Sequence, residues 1–233
     1  YDYTLDSKWN YDFGLKVRDW ALGDRSQAVL DIQLAQGVRK LPRPFGLSAY
    51  NFLTTHDESR INLHLKDKPH LMNAAQVLIM TYLGAPSIFF GDEIGMQGEN
   101  APGVSDKAPT SFSSFNWDYT KWDYRIFNMQ RALGELRVDH PALKMGVVKT
   151  VLIDNEKKLY GFGRWDETGK VITVVSQNNE IVTADINAFE VSAKDGTIFT
   201  DYLTGREYVV KNGSFKAQIF PGGGVFVVGK AGN

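Results

Sequence analysis

The chain has no cysteine among its 233 residues. Disulfides and thiolate metal sites are therefore excluded, while the cellular compartment stays open. No apolar run reaches the roughly 18–20 residues of a membrane span. The opening residues, Tyr1-Asp2-Tyr3-Thr4, carry neither the basic nor the apolar region of a signal peptide. No charge of one sign dominates: 26 basic and 27 acidic residues leave a formal net charge of -1. Such a balance recruits neither nucleic acid nor an anionic membrane. The histidines, His56, His64, His70 and His140, show no zinc-ligand spacing. No glycine loop that would cradle phosphate precedes a helix pattern, and Gly222-Gly223-Gly224 sits between strand patterns and reads as a turn.

Apolar residues make up 43% and charged residues 23%, an ordinary globular composition. The length suits one large domain or two modest ones and suffices for a sizeable core. Aromatic residues are in excess, with 14 Phe, 10 Tyr and 5 Trp. Rings serve cores first and flat ligands such as sugars second.

The pattern changes near residue 143. Before it, strand-like runs alternate with helical ones. Residues 9–13 read as a short strand. Residues 15–37 carry apolar side chains at helical spacing (Val17, Trp20, Ala21, Val29, Ile32, Leu34), with Gly37 as a stop. Residues 49–55 read as a buried strand and 70–83 as a helix with a broad apolar face, ended by Gly84 and Pro86. Residues 87–90 read as a short apolar strand, and 121–137 as an amphipathic helix. This order predicts a parallel sheet covered by helices, with polar residues just past the strand ends where ligands bind. From 144 on, short strand candidates at 147–153, 159–165, 171–175, 181–186, 197–201, 208–210, 217–220 and 225–228 alternate with turns. That spacing predicts an antiparallel β-sandwich. The expected fold class is thus α/β plus all-β, with domains at 1–143 and 144–233.

The stretch Thr54-Thr55-His56-Asp57-Glu58-Ser59-Arg60 places a carboxylate and an imidazole at a strand end. Glycoside cleavage develops positive charge on the sugar ring, which a carboxylate can stabilise. Equally, Asp57 can cap the following helix and His56 can be a structural histidine. A second stretch follows about 30 residues on: Gly84-Ala85-Pro86-Ser87-Ile88-Phe89-Phe90-Gly91-Asp92-Glu93-Ile94-Gly95-Met96.

Together the two stretches resemble the seventh- and eighth-strand motifs of the α-amylase family, glycoside hydrolase family 13. Leu136-Arg137-Val138-Asp139-His140-Pro141-Ala142-Leu143 is similar to that family's last barrel helix. Asp201-Tyr202-Leu203-Thr204-Gly205-Arg206-Glu207 is similar to its C-terminal sandwich, and Trp9-Asn10-Tyr11-Asp12-Phe13 to its sixth-strand segment. The resemblance implies a partial (β/α)8 TIM barrel, about strands 6–8 with their helices, followed by the sandwich. It implies that Asp57 is the transition-state-stabilising carboxylate and that His56 contacts the sugar. Arg60, Asp92 and Glu93 would be supporting residues. The loop over 97–118 departs from the family pattern except at Asn116-Trp117-Asp118, and its rings Phe112, Phe115 and Trp117 either line a sugar subsite or pack on their own barrel.

The same resemblance defines two expected gaps. The family's nucleophile lies in an Arg-x-Asp pattern and its general acid is a Glu, both ahead of the sixth strand. No Arg-x-Asp follows an apolar strand here, and no Glu precedes Glu58. The chain is expected to begin after the fifth strand and to be inactive alone. Three parallel strands cannot close a barrel. The expected partners are therefore an α-glucan or oligosaccharide together with an N-terminal barrel segment of the same enzyme, or a second copy. No cofactor is expected in this chain, and the family's calcium sites fall in earlier segments. The alternative function is a non-catalytic carbohydrate-binding or assembly module.

Overall fold

In the computed structural model, residues 7–40, 43–98 and 113–228 are described. Helix α1 (Tyr11–Leu22) buries Phe13, Val17, Trp20 and Ala21 at helical spacing. It stops at Gly23, whose left-handed φ of 94° closes the C-terminus. Helix α2 (Gln27–Arg39) restarts behind the Ser26 cap, whose hydroxyl accepts from the Val29 N–H. The single helix expected over 15–37 is therefore two, and Gly37 lies inside the second. Helix α3 (Arg43–Ser48) leads into strand β1 (Tyr50–Asn51). Helices α4 (Ile61–Leu65) and α5 (Pro69–Thr81) follow, then strand β2 (Ala85–Pro86).

Strands β1 and β2 pair in parallel, and Trp9 bridges Tyr50 in parallel on the other side. The expected runs at 9–13, 49–55 and 87–90 thus shrink to three short parallel segments, 8–10, 49–51 and 85–87, stitched by backbone bonds. Tyr11 already starts a helix, and residues 88–90 lie beyond the ladder. Asn51 ties the segments together. Its side chain accepts from Asn10 Nδ2 at 2.8 Å and donates to the Leu83 carbonyl at 2.8 Å. Gly84 is required beside it, because a Cβ there would stand 2.5 Å from Asn51 Nδ2 on a backbone with φ of 120°.

Helix α6 (Tyr124–Asp139) is capped by the Asp123 carboxylate and followed by the short α7 (Ala142–Met145). Eight strands then form two antiparallel sheets: β3 (Val147–Asp154), β4 (Leu159–Trp165), β5 (Lys170–Ser176), β6 (Val182–Asn187), β7 (Ile198–Asp201), β8 (Glu207–Val209), β9 (Ser214–Ile219) and β10 (Gly222–Val228). The larger sheet runs β3-β4-β5-β10-β7-β8, and β6 pairs with β9. Gly222, Gly223 and Gly224 belong to β10 rather than to a turn. The sheet needs glycine there, since a Cβ on Gly223 would stand 2.3 Å from the Val174 carbonyl oxygen.

Strands β4, β5 and β10 are buried on both faces. One face, with Phe162, Val171, Val175 and Val225, joins Trp20, Leu78 and Leu133 in a single core. The other face, with Ile172, Val174 and Phe226, packs on Ile186, Phe215 and Ala217 of the small sheet. Helix α5 sits at the centre, against α1, α6, β5 and β10. Its last carbonyls are held from two sides. Arg137 of α6 donates to the Met80 carbonyl at 2.8 Å, and also to that of Gly84. Arg164 of β4 donates to Thr81 at 3.1 Å and to the carbonyls of Gly146 and Val147. Burial, with the neighbouring Arg137 cation, lowers the Arg164 pKa to about 9 against the opposing pull of Tyr82 and Asp166. No helix among the described residues is long and apolar enough to cross a membrane.

Candidate active site

The parallel segments end on one side, and the candidate residues follow their ends. Tyr11 follows the first and Asp57 the second. Tyr11 Oη donates to Asp57 Oδ2 at 2.9 Å. The carboxylate raises the phenol's pKa, because ionising the ring would destroy that bond and set two anions together. Asp57 does not cap the next helix. The Ile61 N–H is taken by the Thr54 hydroxyl at 3.1 Å, and the Asp57 N–H donates to Thr55 Oγ1. His56 Nε2 lies 3.3 Å from Asp57 Oδ1, and the two side chains are 53% and 56% exposed. A buried structural histidine would not be so open. Glu58 pairs with Arg18 of α1 at 2.8 Å. An open depression of about 470 Å³ borders Asp57, lined also by Arg18, Asp24, Glu58, Ser59 and His64. Partial burial lowers the His64 pKa and favours its neutral form.

Arg60, by contrast, is fully buried. It donates to the Phe90 carbonyl at 2.7 Å and to Asp92 Oδ1 at 3.1 Å. Its guanidinium lies 5.0 Å from the ring centroids of both Phe89 and Phe90. Asn62 donates to the Asp92 carbonyl at 3.1 Å. Burial pushes the Asp92 pKa up to about 6, against the opposing pull of the Thr54 hydroxyl and Arg60. A carboxyl so enclosed holds the loop after β2 onto the loop after β1. Glu93 is half-buried on the same turn, and its Oε2 has no hydrogen-bond partner among the described residues.

Phe115 and Trp117 pack at a tilt of 57°, with centroids 4.6 Å apart, and Phe115 meets Trp122 edge-on at 6.0 Å. Trp122 Nε1 donates to the Asn116 carbonyl, fixing the loop, while Trp117 is 70% exposed. Phe112 lies outside the described residues. Tyr11, Arg18 and Asn62 were not singled out from the sequence. Tyr11 had a usable signal: it directly follows a parallel segment, on the side where Asp57 follows the next one. Among the described residues, no group of three or more His, Asp or Glu is placed to hold a metal ion.

Chemically, Asp57 is an exposed carboxylate, oriented by one phenol and flanked by an imidazole, at the strand-end side of a parallel sheet. It can accept hydrogen bonds from ligand hydroxyls and oppose developing positive charge. Comparison with known proteins gives that arrangement a context. The chain is homologous to glycoside hydrolases of the α-amylase family. It is 28% identical over 218 residues to neopullulanase 2 of Thermoactinomyces vulgaris, covering 93% of this chain and 36% of that protein. It is 26% identical over 175 residues to a cyclomaltodextrinase of Bacillus sp., covering 75% and 30%. The crystal structure of AmyP in complex with maltose shares the fold, with a TM-score of 0.81 at 18% identity, over 98% of this chain and 51% of that one. The chain thus spans about a third of the length of these two curated relatives. No protein-family model matches it.

Proposed function

We propose that the chain is the C-terminal portion of an α-glucan-active glycoside hydrolase, comprising a partial barrel and a C-terminal β-sandwich. Its role in retaining cleavage of α-glucosidic bonds is to supply Asp57. In such cleavage the ring passes through an oxocarbenium-like state, and hydrogen bonds to ring hydroxyls strengthen as charge develops. Asp57 accepts those bonds from the sugar at the cleavage point, and His56 binds a further hydroxyl. Tyr11 keeps the carboxylate in one orientation. Arg60, Asp92 and Glu93 support the loops that carry it. The single observation that carries this reading is the open Asp57 carboxylate, held by Tyr11 and not consumed by a helix cap.

No residue ahead of Glu58 matches the family pattern for nucleophile or general acid, so on this reading turnover needs a further barrel segment. Support for such a partner comes from the exposed Trp9 ring on an edge of the parallel segments. A second copy is the other candidate, and mass in solution distinguishes them. The test of the main reading is Asp57→Asn in the complete enzyme, assayed on maltooligosaccharides. The expected loss in kcat is on the order of 10²-fold or more, with substrate still bound. Activity within a few-fold of the parent would refute the role. A non-catalytic glucan-binding module is the second reading, favoured by the exposed Trp117 ring. It predicts binding without turnover even when the other barrel segment is supplied.

A further inference from the structure

A surface depression lies on the small sheet, among residues outside the candidate active site. The outer face of β6 carries Asp185 and Asn187, while Ala184 and Ile186 turn inward. After β6 the chain makes a short 3-10 turn, 189–191, that pushes Phe189 outward to 73% exposure. The turn is rigidly held. The Ala188 and Phe189 N–H groups both donate to the Gly213 carbonyl, at 2.9 and 3.0 Å, and Asn187 Oδ1 also accepts from Phe189 N–H. Opposite stands the Asn212-Gly213 hairpin, with both φ positive (52° and 75°). The Asp195 carboxylate clamps it by accepting both backbone N–H groups, at 3.0 and 2.9 Å. Between turn and hairpin lies an open depression of about 640 Å³, lined by Asp185, Asn187, Phe189, Asn212, Gly213 and Ser214.

We propose that this depression is a second glucan-binding site, in which one glucosyl residue stacks on Phe189. The lining chemistry selects the ligand. Its lining holds one carboxylate, Asp185, whose cross-strand partner is the exposed Lys216, so the charges offset and a neutral ligand is favoured. One ring without another apolar lining side chain offers far less than the roughly 1,000 Å² of a stable protein interface. A pyranose matches both halves of the lining: its apolar C–H face covers the ring, and its hydroxyls meet the Asp185 carboxylate, the amides of Asn187 and Asn212, and the Ser214 hydroxyl. Polar groups fixed by clamped backbone cost little ordering entropy on binding. The choice of glucan rests on the proposed function; the existence of the site rests on its own geometry.

The test is gel retardation of the whole protein by amylopectin, with galactomannan as control, for the parent, Phe189→Ala, Asp185→Ala and Asp57→Asn. Phe189→Ala should weaken amylopectin affinity about three- to tenfold, the size of one aromatic contact. It should leave turnover of a soluble trisaccharide and the circular dichroism spectrum unchanged. Asp185→Ala should weaken retardation in the same direction. Asp57→Asn separates the two readings, since it should lose turnover and keep retardation through Phe189. Equal retardation of parent and Phe189→Ala would overturn the site, whatever happens to turnover. Equal retardation by galactomannan, lost in Phe189→Ala, would overturn the ligand. A doubled mass in the parent that Phe189→Ala abolishes would overturn it in favour of a second copy.

Discussion

Replacing Arg60 with leucine removes a fully buried cation, its bonds to the Phe90 carbonyl and Asp92, and its contacts with two rings. Breaking a buried ion pair from one side costs about 3–5 kcal/mol, because the remaining group is stranded. Here the stranded group is a carboxyl, so the cost depends on pH. In the parent, Asp92 has a folded pKa of about 6 against an ordinary 3.8. The folded state therefore binds more protons than the unfolded one between those values, and stability falls as pH rises through that window. The full effect is about 3 kcal/mol at most. Removing Arg60 removes two influences that hold the value down, so the folded pKa climbs further and the loss extends above pH 6. Urea unfolding followed by tryptophan fluorescence at pH 5 and pH 7.5 measures this. Arg60→Leu should cost about 1–3 kcal/mol more at pH 7.5 than at pH 5. The double variant Arg60→Leu/Asp92→Leu should recover most of the loss at pH 7.5. A single-variant cost below about 1 kcal/mol, or one equal at both pH values, would refute the buried-pair account.

Asp57→Asn should lower the Tyr11 phenol pKa toward its ordinary value of 10, read by NMR titration of ring-labelled tyrosine; an unmoved titration would mean the bond is absent in solution. Gly84→Ala should destabilise by about 2 kcal/mol or more, since φ of 120° and the 2.5 Å approach to Asn51 leave no room for a Cβ. Gly134→Ala, mid-helix in α6 with nothing within 4 Å of the new Cβ, should stabilise by about 0.5–1 kcal/mol. Thermal melts of that pair compare glycine's two roles directly, and like signs would contradict the reasoning.

The elements most legible in the sequence were those whose pattern is long relative to its period. Helix α5 buries ten of its thirteen residues, and β4 and β5 are apolar enough to show as runs because both faces are covered. The break between α1 and α2 was written in Gly23 and Ser26 but hidden by apolar spacing that continues across it. The parallel strands were over-read because apolar runs there serve more than the ladder. Phe89 and Phe90 flank Arg60, and the Phe90 carbonyl accepts from its guanidinium. At the site, the His56-Asp57 pair was visible as a motif. The Tyr11 contact was not, because it joins residues 46 apart in sequence. Phe189 escaped for a related reason: a single exposed ring has no periodicity, and its setting comes from a hairpin more than twenty residues away.

The two arginines that grip the end of α5 also decide how the molecule can move. Arg137 reaches it from the helical side and Arg164 from the sheet, and Arg164 binds the joint itself through Gly146 and Val147. At Gly146 a Cβ would collide with two carbonyl oxygens, at 2.3 and 2.7 Å, so the backbone there is wedged. The place where composition changes is therefore no hinge. Any rocking of the sheets against the helices would break several buried bonds at once, so the two halves should turn in solution as a single rigid body.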